Sequence, residues 1–179
     1  TRPLEKIEHQ LLEVFCSNIS AAFRNLQLYL DIEALAYQDT LVQLPNRNAL
    51  LLALDEQSPA ERALALVDLD NFADINNILD ESYGDLVLQA VAGRLREYFS
   101  EQCMVARLAS DLFAIYGPET EVEPNQIQQL FAEPFVISEG QSLRLSATMG
   151  LVRTLGKGGS DLLKNAGAAL KQAKRMMRG

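Results

Sequence analysis

The chain has 179 residues, 48% hydrophobic and 22% charged, enough apolar material for one core-forming domain plus an appended element and too much for a disordered chain. Its net charge of -8 and the lack of a basic run exclude nucleic acid as the expected partner, because a phosphate-tracking surface needs an excess of Lys and Arg. No apolar stretch reaches the roughly 18 residues of a membrane span and no signal peptide opens the chain, so the reading is cytoplasmic, without a membrane partner in this stretch.

From Leu4 to about Leu35 there is no Gly, and Leu4, Ile7, Leu11, Val14, Phe15, Ile19, Ala22, Phe23, Leu26 and Leu30 recur at steps of three and four. That period predicts one long amphipathic helix over residues 1–38, whose stripe packs on a neighbouring domain or on a second copy in a homodimer. Leu44-Pro45-Asn46 reads as a turn and Ala49 to Leu54 as a short helix. Ala63 to Asp70 is a continuous apolar run of strand length, as in a central strand covered on both faces. Phe72 to Leu79 and Asp85 to Phe99 read as helices, and Met104 to Leu108 and Leu112 to Tyr116 as a hairpin around Ala109-Ser110-Asp111. A helix around Asn125 to Phe131, a strand at Phe135 to Ile137, a strand from Leu143 to Val152 and a helix from Asp161 to Met177 complete the order. This succession predicts an α+β fold over residues 39–179: a mixed central sheet flanked by helices, related to the ferredoxin-like and nucleotidyl-cyclase palm pattern.

Cys16 and Cys103 lie far apart without metal-type spacing and are expected as buried free thiols, and His9 as a solvated surface residue. Asp68 is the most telling single residue, because an unpaired carboxylate at the end of an Ala, Leu and Val strand costs roughly several kcal/mol to bury. Two compensations are open: backbone amides of the next helix, with Asp70 or Asn71 as its N-cap, or a divalent metal shared with Asp111. Spacing alone favours the amides.

Four segments carry a signal together that none carries alone. Asp39-Thr-Leu-Val-Gln-Leu-Pro-Asn-Arg47 resembles the pattern D-x-L-T-G-L-P-N-R, departing at Val42 and Gln43. Asp68 to Asn76, running on to Gly84-Asp85, resembles D-x-D-x-F-K-x-I-N-D-x-x-G-H-x-x-G-D, and Arg107 to Phe113 stands where R-x-G-G-D-E-F would. Ala166 to Arg178 resembles A-D-x-A-L-Y-x-A-K-x-x-G-R. In this order they resemble the GGDEF domain, the cyclic di-GMP synthase module, in which two facing domains join two molecules of GTP by attack of a 3′-hydroxyl on an α-phosphate.

The resemblance implies that Asp68 and the carbonyl of Leu69 would hold a metal, with Asp111 as a weaker third position. It implies nucleotide contacts at Phe72, Asn76, Asp85, Lys174 and Arg178. Asn76 and Asp85 would read the guanine edge, and Lys174 and Arg178 would meet phosphates. Asn76 and Asp85 read equally as helix caps, and the basic residues of the last helix as a solvated turn. The departures fall where the reaction would occur. Ala109 and Ser110 replace glycines, Leu112 replaces an acidic ligand, and Ala73 and Glu81 replace a lysine and a histidine. No catalytic residue is expected to function in Ala109-Ser110-Asp111-Leu112-Phe113, and the product-inhibition pattern R-x-x-D is missing at Ser100 to Cys103.

The expectation is a catalytically inactive GGDEF module of cyclic di-GMP signalling that binds GTP, with Mg2+ entering only alongside nucleotide. A long N-terminal helix resembling the exit helix of a GAF-type sensor domain, and an end at Gly179, suit a piece of a multidomain protein with a flanking sensor and an EAL phosphodiesterase domain. The alternatives are an interaction domain that binds no nucleotide, or a residual cyclase using Asp68 and Asp111.

Overall fold

The computed structural model describes residues 3–56, 61–154 and 159–177. The chain divides into two compact units, Thr1–Ala36 and Tyr37–Gly179. The first unit is helical: α1 runs from Pro3 to Tyr37, a length of about 52 Å. Ile7, Leu11, Val14, Phe15, Leu28, Ile32 and Leu35 are exposed along it, and so is His9, as expected. Cys16 is exposed too, which corrects its expected burial: a cysteine on an amphipathic helix is covered only where a partner covers that face.

The second unit opens with β1 (Gln38–Asp39), β2 (Leu44–Pro45), α2 (Arg47–Asp55), β3 (Arg62–Leu69), α3 (Phe72–Leu79) and α4 (Glu81–Tyr98). It continues with β4 (Met104–Ala109), β5 (Leu112–Pro118), α5 (Pro124–Leu130), β6 (Phe135–Ser138), β7 (Gln141–Leu143), β8 (Ala147–Thr154) and α6 (Gly159–Met177). The α+β fold with a helix-flanked central sheet is therefore present. Its four strands run in the order β4-β5-β3-β8, and each pairing is antiparallel, where a mixed sheet was expected. The β4–β5 hairpin sets this, because it presents its second strand to β3.

β3 is the centre of both cores, and alternation along it explains why. Ala63, Ala65, Val67 and Leu69 face a cluster with Val87, Val91 and Leu95 of α4, while Leu64 and Leu66 face Leu50 of α2 and Ala166 and Leu170 of α6. Cys103 is buried as expected. Burial, and then the Glu121 carboxylate 3.4 Å from its sulfur, push its thiol up to about 12.

Two boundaries differ from the sequence reading. The expected strand from Leu143 to Val152 is two strands, because β7 pairs with β6 in a separate hairpin while β8 joins β3. The expected helix start at Asp85 lies at Glu81, because the Asp80 carboxylate accepts from the Tyr83 amide at 2.8 Å and caps α4 a turn earlier.

Asp80 itself has φ 118° and ψ 168°, a region essentially reserved for glycine. It occupies the first glycine position of the long motif that begins at Asp68, so the backbone keeps a conformation that its side chain opposes. Asp80→Gly should raise unfolding stability by about 1 kcal/mol in urea denaturation, the relieved strain outweighing the few tenths lost with the cap.

Candidate functional site

The site is built at the C-terminal end of β3. The ladder places Leu112 of β5 and Thr148 of β8 directly opposite Asp68, so these three side chains form one row on the α6 side of the sheet. The next row inward is Leu66, Ala114 and Gly150. Gly150 lets α6 come down onto β8: a Cβ there would stand 2.3 Å from the Leu170 amide nitrogen and 2.6 Å from the Ala166 carbonyl oxygen. One turn beyond Leu170 is Lys174, a rise of about 6 Å. Two residues from Gly150 along β8 is Thr148, a step of about 7 Å. Because the two steps match, seating Leu170 at Gly150 brings Lys174 over Asp68.

Nζ of Lys174 lies 2.5 Å from Oδ1 of Asp68, whose side chain is 14% exposed. The compensation for Asp68 is thus an ammonium from the last helix, and the expected amide cap is corrected. Asp70 accepts instead from the Thr148 hydroxyl at 2.6 Å, and Asn71, at φ 58°, makes no side-chain bond to α3. The first amides of α3, at Phe72 and Ala73, therefore carry no side-chain cap, and they border a cleft of about 500 Å3 with Asp68, Leu69, Asp74, Asp111 and Lys174.

The hairpin turn brings Asp111 to this cleft. Its main-chain oxygen accepts from the Leu69 amide at 3.1 Å, tying the turn to the end of β3. Burial, and then the facing Asp68 carboxylate, push the Asp111 carboxyl up from its ordinary value, against the pull of Lys174 and Arg107. Leu112, opposite Asp68, packs into the core beneath α6 and presents no oxygen. Ala109, Ser110 and Asp111 all lie outside the left-handed region, so this turn asks for no glycine conformation. Ala109 and Ser110 alter the space over the turn, where both are exposed.

Arg107 and Asp39 hold the turn, a role the sequence reading missed although both residues stood in its motifs. Arg107 donates to the Ser110 carbonyl from Nε at 3.0 Å and Nη2 at 2.7 Å, and from Nη1 to Asp39 Oδ2 at 2.9 Å. The other Asp39 oxygen accepts from the Leu41 and Val42 amides at 3.0 and 3.2 Å. An arginine just before a two-residue turn, with an acid heading an apolar turn elsewhere, was the available signal.

Asn76 and Asp85 do not line the cleft. They lie on the two helices of the α3–α4 corner, Asn76 about one helical turn from the first α3 amides. Gly84 makes room for the Asn76 amide, since a Cβ there would fall 1.8 Å from Asn76 Oδ1. That Oδ1 is buried without a hydrogen-bond partner among the described residues, and Asp85 beside it is exposed. Neither residue caps a helix. Phe72 is buried under the same corner, with its ring edge 3.2 Å from the position a Gly84 Cβ would take. Arg178 lies outside the described residues.

The donor set does not match the metal that the motifs imply. Among the described residues no three His, Cys, Asp or Glu side chains converge as a metal-holding group. Asp68 is engaged by an ammonium and Leu112 offers no ligand, so these side chains do not fit a hard dication, which needs about six oxygens.

Comparison with known proteins agrees with this architecture. Residues 36–179 match the family model described as diguanylate cyclase, GGDEF domain. The chain belongs to the GGDEF domain family. Residues 1–32 match a domain of unknown function, DUF3369. The GGDEF chain is 30% identical over 172 residues to the cyclic di-GMP phosphodiesterase NbdA of Pseudomonas aeruginosa, covering 88% of this chain and 22% of that protein. It is 33% identical over 159 residues to the diguanylate cyclase TpbB of the same species, covering 80% of this chain and 36% of TpbB. It spans roughly a fifth to a third of these relatives' lengths. Among solved structures, a sensory box/GGDEF family protein from Caulobacter crescentus matches at 27% identity and a TM-score of 0.70, over 79% of this chain and 99% of that one. These likenesses place the GGDEF chain in cyclic di-GMP signalling.

Breaking the Arg107 tie leaves Asp39 and the Ser110 carbonyl without their charged donor. Arg107→Ala should lower unfolding stability by about 2 kcal/mol in urea denaturation, and hydrogen exchange should quicken first at Ser110 and Asp111.

Proposed function

We propose that this GGDEF domain has lost the cyclase reaction and serves as a regulatory module that still takes a guanine nucleotide, GTP being the natural candidate. The buried, unpartnered Asn76 Oδ1 carries this reading. An unsatisfied buried acceptor costs about 1–3 kcal/mol, and a guanine edge supplies the N–H donors that would satisfy it. Asp85, exposed next to the Gly84 gap, adds a carboxylate acceptor on the same side, and the uncapped α3 amides offer donors for phosphate. Loss of the reaction is supported by Leu112 in the Asp68 row and by a cleft whose charged lining is Asp68, Asp70, Asp74 and Asp111 against Lys174.

The module would act within a larger protein. NbdA is named a phosphodiesterase, and MucR of Pseudomonas aeruginosa, 31% identical over 78% of this chain, is named a bifunctional cyclase and phosphodiesterase. Because this chain spans 22% of each, a flanking EAL-type phosphodiesterase domain and a preceding sensor are the proposed neighbours. Exposed Ile7, Leu11, Val14, Leu28, Ile32 and Leu35 of α1 follow a seven-residue spacing that continues through Asn18 and Asn25, the pattern of a parallel two-stranded coil. A homodimer through α1 would carry input to the domain.

The second reading, an interaction domain that binds no nucleotide, is favoured by one observation: Lys174 is already engaged by Asp68. Calorimetric titration separates the two. The first reading expects heat with GTP and none with ATP, weakened at least about tenfold in Asn76→Ala. Absence of guanine-selective heat at millimolar nucleotide would end it in favour of the second.

A further inference from the structure

The end of β3 poses a charge problem that the fold answers without a bound ion. Asp68 and Asp111 face one another across the cleft, closely enough that the Asp68 charge opposes ionisation of Asp111. Two such carboxylates call for a cation between them. Lys174 supplies one: its ammonium is a compact point charge with three donors, and it lies 2.5 Å from Asp68.

The position of that ammonium is built in. Leu170 is buried, its backbone sits on Gly150, and Lys174 follows one turn later, so the helix that seals the core also delivers the charge. A divalent ion reaching Asp68 would have to displace the ammonium or share its carboxylate with it. Little would repay that displacement: of the two residues opposite Asp68, Leu112 has no oxygen to offer and the Thr148 hydroxyl is already donated to Asp70. Mg2+ gives up its hydration water reluctantly and requires near-octahedral oxygen coordination, so the contested Asp68 with Asp70 and Asp111, which among the described residues do not converge as a metal-holding group, makes a poor exchange for water.

We infer that Lys174 stands in for the divalent cation of this pocket, neutralising Asp68 from within the chain so that the pocket takes no Mg2+ or Mn2+ of its own. The inference concerns the empty protein and holds whether or not a guanine nucleotide binds. It assigns Lys174 a different task from phosphate contact: it is a positioning residue that holds the last helix over the β3 end in the absence of metal.

Manganese titration of the free protein, followed by the electron paramagnetic resonance signal of unbound Mn2+, tests it directly. The wild-type chain should leave the free-ion signal undiminished up to millimolar Mn2+. Lys174→Met, with circular dichroism confirming that it is folded, should gain one site at least about tenfold tighter than any wild-type binding, and Asp68→Asn in that background should abolish it. Lys174→Gln, neutral but still able to donate to Asp68, provides the same comparison if the methionine variant does not fold. Submillimolar Mn2+ binding by the wild type that Asp68→Asn removes would overturn the inference. So would a folded Lys174 variant that binds Mn2+ no better than wild type, since exclusion would then come from the missing oxygen ligands and not from the lysine.

Discussion

The ion pair between Asp68 and Lys174 is the constraint from which the rest of the domain can be understood. A carboxylate at the end of a buried central strand is tolerable only with a partner, and the partner comes from the last helix of the chain. The net worth of such a pair, with the lysine 39% exposed, is on the order of 1 kcal/mol. Removing the lysine alone would cost more, about 3 kcal/mol, because it would leave the carboxylate buried and unpaired. Core packing seats α6 where the pair can form, and the pair then stabilises that docking. Gly150 permits the close approach, Leu170 fills the second core, and the β3 end, the Asp111 turn and the first turn of α3 are left bordering one cleft.

Two functions that an intact site would combine are physically separable here. Metal chemistry depends on hard oxygen ligands converging at the β3 end, where Leu112 now packs into the core beside an engaged Asp68. The base recognition we propose would use a different place, the α3–α4 corner, where Gly84 makes room for Asn76, whose Oδ1 has no partner among the described residues. Losing the first does not require losing the second, because no residue is shared between them. Backbone strain at Asp80 lies in the same corner and is retained even with an unfavourable residue, which fits a conformation held by the surrounding packing.

The core was the most legible part of the sequence. The apolar run of β3 announced a central strand covered on both faces, and the helices that cover it, α4 and α6, were expected over Asp85 to Phe99 and Asp161 to Met177. Local rules failed where an unusual backbone conformation or a distant pairing decided the outcome. The α4 start was misplaced because Asp80 caps it from a conformation expected of glycine. The break before β8 escaped notice because β7 leaves the main sheet for β6. In the site, the motifs pointed to Asp68, Asn76, Asp85, Asp111 and Lys174, yet their pairings could not be read from spacing. Asp68 meets a residue more than a hundred positions away, and Arg107 meets Asp39 across the unit. Such contacts follow from sheet register and helix docking, which no local pattern encodes.

The central claim is that this GGDEF domain keeps recognition without the reaction. Incubation of the protein with GTP and Mg2+, with chromatographic detection of products, tests it most directly. The account expects no cyclic di-GMP above a protein-free control, even after long incubation. A cyclic di-GMP peak that disappears in Asp68→Ala would contradict it, since it would show that Asp68 and Asp111 still support the reaction with Leu112 in place.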